Sequence, residues 1–340
     1  MESIIRVEHL TKEFRVFERR EGIKGGLINL FKRDYRNLTA VNDVNFSISR
    51  GEIVGYIGAN GAGKSTTIKM MTGILVPTSG RVVANGFVPY DQRTAYTKTI
   101  GVVFGQRTQL WWDIAVVESF NLLKKIYGIS DTDFKQRLKL FSEILNISAY
   151  LHTPVRKLSL GERMRCDLAA SLLHNPPVLF LDEPTIGLDV LAKANILQFL
   201  QEINREFKTT ILLTTHDLAD IEQLCERLVI IDKGELLFDG TLRELRRRFG
   251  GESKILFDLK EGLSQNTLDK LSNSSDAKWQ CVDGMRCTVS FDPEQVTSAD
   301  LIKQIVNNFD VKDIEVQEEA IEDIVRSIYQ GTNERKPVNV

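Results

Sequence analysis

The chain has 340 residues, enough for one large hydrophobic core and a smaller second one. Its 44 Lys and Arg against 46 Asp and Glu leave a formal net charge of -2, which argues against nucleic acid held by bulk charge. No apolar run approaches the roughly 20 residues that a bilayer-spanning helix needs, and no secretory leader is expected ahead of Ile4-Ile5-Arg6-Val7.

In chain order, short apolar runs predict strands at Ile5–Val7, Val44–Ile48, Glu52–Ile57 and Arg81–Val83. Between the first two lies a basic stretch, Glu18–Arg33, carrying an apolar cluster at Leu27, Ile28, Leu30 and Phe31. It reads either as a solvated loop with one amphipathic turn packed on the core, or as a helix at a membrane face or against a partner's amphipathic helix. After the third strand comes Gly58-Ala59-Asn60-Gly61-Ala62-Gly63-Lys64-Ser65-Thr66, which fills every fixed position of G-x-x-x-x-G-K-[ST]. Lys64-Ser65-Thr66-Thr67-Ile68-Lys69-Met70-Met71 follows with helical composition. A strand, a glycine loop and a helix N-terminus form an anion cradle, in which unpaired backbone N–H groups point at phosphate oxygens. Gly61 and Gly63 let the backbone approach a ligand closely. Lys64 is expected on the β- and γ-phosphates, and the Ser65 hydroxyl on Mg²⁺.

Ile100–Val103 predicts the next strand, followed by Gln106 and the aromatic run Leu110-Trp111-Trp112-Asp113-Ile114. Two adjacent tryptophans cannot both face one side of a strand, so a partner contact is expected for at least one. Helical spacing marks Val117–Tyr127 and Asp133–Ile147, the latter with apolar positions Phe134, Leu138, Leu140, Phe141, Ile144 and Leu145. Leu158-Ser159-Leu160-Gly161-Glu162 opens a helix running from Leu160 to Leu173, with Ser159 as its N-cap. The buried-strand run Val178–Leu181 ends in Asp182-Glu183. An acid at the carboxyl end of a core strand beside a phosphate loop suits a Mg²⁺ shell (Asp182), and Glu183 is placed to polarise a water as general base. Pro184-Thr185 and Gly187-Leu188-Asp189 come next, and the strand Ile211–Thr215 leads into His216.

With these motifs in place, about residues 1–245 resemble the ATP-binding subunit of an ABC (ATP-binding cassette) transporter. The resemblance implies an α/β P-loop NTPase core at 1–249 with a helical subdomain at about 107–175. It implies that Ser159, Leu160, Gly161 and Glu162 are a signature acting in trans, whose serine and glycine contact the γ-phosphate of ATP held by another subunit, with Glu162 standing where many members have Gln. It places Gln106 on Mg²⁺ and the attacking water, His216 on the γ-phosphate, Asp189 across the dimer interface and Phe14 against adenine. ATP and Mg²⁺ are the implied cofactors. The implied partners are a second ATP-binding subunit and integral membrane permease subunits at the cytoplasmic face, with no nucleic acid.

Gly250-Gly251 predicts a boundary. Beyond it, strands at Lys254–Leu259 and Arg286–Phe291, helices at Ala299–Phe309 and Ala320–Tyr329, and Val311–Val316 between them predict a small α+β domain over 250–330, then a disordered tail at 331–340. This piece resembles the C-terminal accessory domain of drug-efflux ABC ATPases, which points to the ABC-2-type exporter group. The rival readings are a soluble ABC ATPase acting on DNA or ribosomes, and an importer motor. The first expects a long coiled coil or two cassettes in one chain, and the second a β-rich tail. The cysteines at 166, 225, 281 and 287 form no C-x₂-C pair, and reduced thiols are expected.

Overall fold

The structure is a computed structural model that describes residues 2–17, 35–105, 107–262, 277–282, 284–292, 295–317 and 319–331. Two compact units are present, Met1–Gly240 and Thr241–Val340.

In the first unit, β1 (Ser3–Phe17) and β2 (Tyr35–Ser49) pair antiparallel from Ser3↔Ser49 to Phe17↔Tyr35. Both are much longer than the sequence pattern predicts. Their inner halves alternate buried and exposed residues, whereas Glu13–Phe17 and Tyr35–Thr39 are mostly exposed and lack the apolar alternation that marks a strand. Residues 18–34, which hold the basic stretch, lie outside the described residues.

After β3 (Ile53–Gly58), β4 (Ser79–Ala84) joins β1 in a three-stranded sheet of order β2-β1-β4. β3 belongs to a second, six-stranded sheet of order β5-β6-β7-β3-β8-β9. Its other members are β5 (Ile100–Phe104), β6 (Val178–Asp182), β7 (Thr210–Thr214), β8 (Arg227–Asp232) and β9 (Glu235–Thr241). Strands β5, β6, β7, β3 and β8 run parallel. They are covered on both faces and therefore read as unbroken apolar runs such as Val178-Leu179-Phe180-Leu181. Residues of both sheets share one core with helix α1 (Lys64–Met71), including Ile5, Leu10, Ile48, Tyr56, Ile68, Met71, Phe180 and Leu212.

The predicted helical arm comprises α2 (Val116–Tyr127), α3 (Asp131–Ile144) and α4 (Leu160–Leu172). Helix α3 starts two residues before the predicted position because the Ser130 side chain accepts from Asp133 N–H and acids fill the first turn. Arg137 Nη1 donates to Leu173 O at 2.7 Å and Arg165 Nη1 to Leu145 O at 3.1 Å, tying α3 to α4. Helices α5 (Val190–Phe207) and α6 (Leu218–Leu224) also belong to this unit.

The second unit holds α7 (Leu242–Phe249), β10 (Ser253–Leu259), β11 (Lys278–Val282), β12 (Arg286–Phe291), α8 (Ser298–Asn308), β13 (Val311–Gln317) and α9 (Ile321–Tyr329). Its sheet is antiparallel, in the order β11-β12-β10-β13. Ile255, Phe257 and Leu259 of β10 and Cys287, Val289 and Phe291 of β12 alternate inward. They meet Trp279, Leu301 and Ile305 in a core of their own. Sequence reasoning overlooked β11, and it expected four reduced cysteines. Cys281 and Cys287 are instead register partners on β11 and β12 and form a disulfide, while Cys166 and Cys225 are free and buried. The six-residue separation hides that pairing until the hairpin register is known. Residues 332–340 of the expected tail lie outside the described residues.

Candidate functional site

Parallel strands end on one edge, and here the register brings the chemistry together. Phe104 of β5 aligns with Asp182 of β6, and Asp182 with Thr214 of β7. Residues one or two past those positions therefore emerge side by side. They are Gly105, Glu183, and Thr215 and His216. Gln106 itself lies outside the described residues. The phosphate loop leaves the same edge at Gly58, the last residue of β3, beside β7. Ligands of open α/β sheets bind at such carboxyl ends.

The loop is folded back on its own lysine. Lys64 Nζ donates to Gly58 O at 2.6 Å and Ala59 O at 3.2 Å, and the residue is only 8% exposed. Burial pulls its ammonium below the usual lysine range, opposed by the charges of Glu183 and Asp182. Gly63 has φ +106°, and a Cβ there would come within 2.5 Å of Ala40 O, so only glycine fits. Ala59, Asn60, Gly61 and Ser65 are exposed, Thr66 is half-buried, and Ala62 is buried, its N–H bonded to Ala59 O at 3.0 Å. Phe14 is half-buried on β1 opposite Leu38, which lies two residues from the Ala40 that touches Gly63. Lys12 Nζ sits over its ring at 5.3 Å from the centroid.

Asp182 and Glu183 occupy distinct environments. Asp182 Oδ1 accepts from Thr214 Oγ1 at 2.7 Å and lies 3.5 Å from Ser65 Oγ. A hydroxyl and a carboxylate converging this way form a hard-oxygen donor set that fits Mg²⁺. Glu183 has φ +55°, a left-handed backbone that costs a non-glycine residue about 1–2 kcal/mol. Its N–H holds that turn by donating to both Thr214 O (3.0 Å) and Thr214 Oγ1 (3.1 Å). A Cβ on Gly105 would meet Glu183 O at 2.2 Å, so the strand β5 end can pass this close only as glycine. Glu183 Oε1 is 3.8 Å from His216 Nδ1, and the His216 side chain is 60% exposed. Ser65, Lys69, Ile74, Phe104, Gly105, Arg107, Asp182 and Glu183 together line a cavity of about 350 Å³.

No residue of Leu158–Glu162 lines that cavity. Ser159 is exposed and caps α4 in a reciprocal box: Glu162 N–H donates to Ser159 Oγ at 3.3 Å, and Ser159 N–H to Glu162 Oε2 at 2.8 Å. The Ser159 N–H holds the Glu162 carboxyl below the usual glutamate range. A Cβ on Gly161 would lie 3.5 Å from Ala192 Cβ and 3.7 Å from Leu188 Cδ2, so this motif packs beside the Asp189 segment. Asp189 is exposed and caps α5, its Oδ1 accepting from Ala192 N–H at 2.8 Å.

Sequence reasoning missed Thr214, Gly105, Lys69 and Arg107, which enter the site only through strand register or the shape of the cavity. It also missed Asp167 on α4. Asp167 is 2% exposed and accepts from Thr108 Oγ1 at 2.9 Å and Gln109 N–H at 3.0 Å, fixing the segment that follows Gln106. Burial pushes its carboxyl up to about 6, against the pull of those hydrogen bonds. Trp111 and Trp112 are 42% and 48% exposed, and the Arg163 guanidinium lies 5.5 Å from the Trp112 ring centroid.

The ABC transporter family profile matches residues 41–186. ABC transporter ATP-binding protein NatA of Bacillus subtilis (strain 168) is 33% identical over 215 residues, 63% of this chain and 87% of that protein. Linearmycin resistance ATP-binding protein LnrL of the same organism is 33% identical over 224 residues, 66% of this chain and 71% of that one. The solved dimeric, post-hydrolysis state of an ATP-binding cassette bound to ADP and Pi matches with a TM-score of 0.58 and 25% identity, over 70% of this chain and 99% of that one. With the phosphate loop, the acid-tipped strand and the fold all in agreement, the chain belongs to the ATP-binding proteins of ABC transporters and is an ATPase of that family.

Proposed function

We propose that this chain is the ATP-hydrolysing motor of an ABC-2-type exporter and works as a homodimer around two ATPs at the cytoplasmic face of the membrane. One observation carries the shared-site reading. The cavity contains the phosphate loop helix, Asp182 and Glu183 but none of Ser159–Glu162, and Ser159 sits exposed with its N-cap role already filled. The site is half a site, and Ser159 of a second copy supplies the other half.

In this reading Phe14 stacks on adenine, and the N–H groups of Gly58–Thr66 hold the phosphates. Lys64 exchanges its carbonyl partners, Gly58 O and Ala59 O, for phosphate oxygens. Mg²⁺, when bound by Ser65, Asp182 and Gln106, supplies charge neutralisation on the phosphates. Glu183 takes the proton of the attacking water, and His216 contacts the γ-phosphate. Asp189 meets the second copy across the interface. Closure makes the full set of γ-phosphate contacts and hydrolysis removes them, so the pair opens and closes with each turnover.

Export is favoured by relatives named for linearmycin resistance and as a probable multidrug ABC transporter. None of the described helices is long and apolar enough to cross a membrane; in this reading the path across it is formed by permease subunits. The exposed Trp111–Trp112 run on the helical arm is the expected contact for them.

The test is gel filtration of Glu183→Gln with Mg-ATP, which is expected to run as a dimer, whereas adding Ser159→Arg returns it to monomer without loss of ATP binding. A monomer that turns over ATP at a rate independent of protein concentration would sink the shared-site reading.

A further inference from the structure

Outside the cavity, one lysine links the segments that carry Asp189, His216 and Glu183. Lys193 lies one turn into α5, four residues after Asp189, and its N–H bonds to Asp189 O at 3.0 Å. Its ammonium pairs with Asp217, the residue after His216, and with Asp220 Oδ1 at 2.8 Å. Asp220 is 1% exposed, and among the described residues that oxygen has no partner besides the Lys193 ammonium. The other Asp220 oxygen, Oδ2, accepts from buried Thr185 Oγ1 at 2.7 Å. Thr185 stands two residues after Glu183, and its carbonyl accepts from Leu188 N–H at 3.3 Å. Asp217 is also the cap of α6, its Oδ1 accepting from Ala219 N–H at 3.1 Å.

The consequence is mechanical. The turn after the proposed base, the helix that starts at the proposed interface acid, and the loop of the proposed phosphate contact all end on one half-buried cation. A lone surface ion pair between two of them would be worth little. Here one cation joins two carboxylates, one of them fully buried, and the buried one is locked by a second bond into the Glu183 turn. Breaking such a group leaves a charge buried without its partner.

We propose that Lys193 is a positioning residue for ATP hydrolysis, clamping the segments of Asp189, His216 and Glu183 so that they move as one when the second subunit closes. The inference rests on the roles given to those three residues above. Lys193 touches no atom of the nucleotide loop, so its loss acts on alignment and not on ATP capture. A misplacement of ~1 Å costs on the order of 100-fold in rate.

The experiment is steady-state ATPase kinetics on the full chain with Lys193→Met, Lys193→Arg, and Lys193→Met combined with Asp220→Asn. Lys193→Met is expected to lower kcat by roughly 10- to 100-fold with KM for ATP changed by less than about 3-fold. Lys193→Arg, which keeps the cation, is expected to recover most of kcat. The double variant removes the unpaired buried charge, so its thermal midpoint returns toward wild type while kcat stays low. If kcat returns together with stability in the double variant, or if Lys193→Met raises KM and spares kcat, the clamp is overturned. Failure of the base assignment is read separately, as wild-type turnover by Glu183→Gln in an otherwise unaltered chain.

Discussion

Replacing Glu183 by Gln isolates chemistry from folding at this site. The substitution exchanges one carboxylate oxygen for an amide NH₂ and leaves volume and backbone alone. The left-handed turn at φ +55° depends on the Glu183 N–H bonds to Thr214, which the amide side chain does not touch. The carboxylate accepts no hydrogen bond from the described residues, and His216 Nδ1 at 3.8 Å is beyond hydrogen-bond reach. Folding stability should therefore move by no more than about 0.5 kcal/mol, or roughly 2 °C in thermal midpoint for a unit of this size. Turnover should fall by about 10²- to 10⁴-fold, the usual contribution of a positioned general base, which corresponds to roughly 3–5 kcal/mol in the barrier. Phosphate release at saturating Mg-ATP measures the turnover, and scanning calorimetry of the apo chain the stability. The reasoning fails if the variant binds ATP but turns over within about threefold of wild type. It also fails if the loss of rate is matched by a collapse in stability, since the turn would then depend on the carboxylate.

Lys64→Ala should abolish the rise in thermal midpoint that Mg-ATP gives the wild type, about 2.7 kcal/mol of stabilisation at a hundred times Kd, and a retained shift would contradict its phosphate role. Asp167→Asn keeps an acceptor for Thr108 and Gln109 but carries no charge. The wild-type carboxyl titrates higher when folded, at about 6, than when unfolded, so its contribution is present at acid pH and is lost as pH rises through about 6. The Asn variant should lack that decline, a difference of up to about 3 kcal/mol between pH 4 and 7.5, and parallel pH–stability curves would refute it. Glu162→Gln should preserve the capping box, whereas Glu162→Ala should cost about 1 kcal/mol in urea unfolding. Because the Glu162 carboxyl titrates low in the folded chain, its contribution is lost as pH falls, and equal losses for Gln and Ala would rule out the box. Trp112→Glu should weaken co-purification with the membrane subunits while leaving the ATPase of the isolated chain within about twofold, and unchanged co-purification would remove the tryptophan from the interface.

What could be read along the chain and what could not follows from where the partners of each group lie. The phosphate loop is contiguous because a strand, a turn and a helix start must close around one anion within nine residues, Gly58–Thr66, and such a demand leaves a linear trace. The capping box was half visible for the same reason, since Ser159 and Glu162 are three apart. Asp182 was legible as an acid at a strand end, but Thr214, which orients it, is 32 residues away and aligned only by the pairing of β6 with β7. Asp167 and Thr108 are 59 apart, and Thr185 and Asp220 are 35 apart, so neither link has a sequence pattern of its own. The outer halves of β1 and β2 escaped for a different reason. Their strand character comes from pairing with each other, from Phe14↔Leu38 to Phe17↔Tyr35, and not from burial, so no alternation announces them.

The same register sets Glu183 and His216 at one edge: each follows by one or two residues a position aligned across β6 and β7, namely Asp182 and Thr214, and Phe104 of β5 aligns with the first. A one-residue slip of β6 would move Glu183 out of its place and put Asp182 or Pro184 there. Register is held on one side by the buried runs of β6 and β7, which are fully covered. At the edge itself it is held by polar bonds, Gly105 N–H to Asp182 O at 2.8 Å and Glu183 N–H to Thr214 O at 3.0 Å. The catalytic edge thus depends on the backbone ladder of three parallel strands. The Lys193 clamp acts one layer further out, on the loops that the ladder delivers. Loss of the ladder should cost fold and function together, whereas loss of the clamp should cost kcat first.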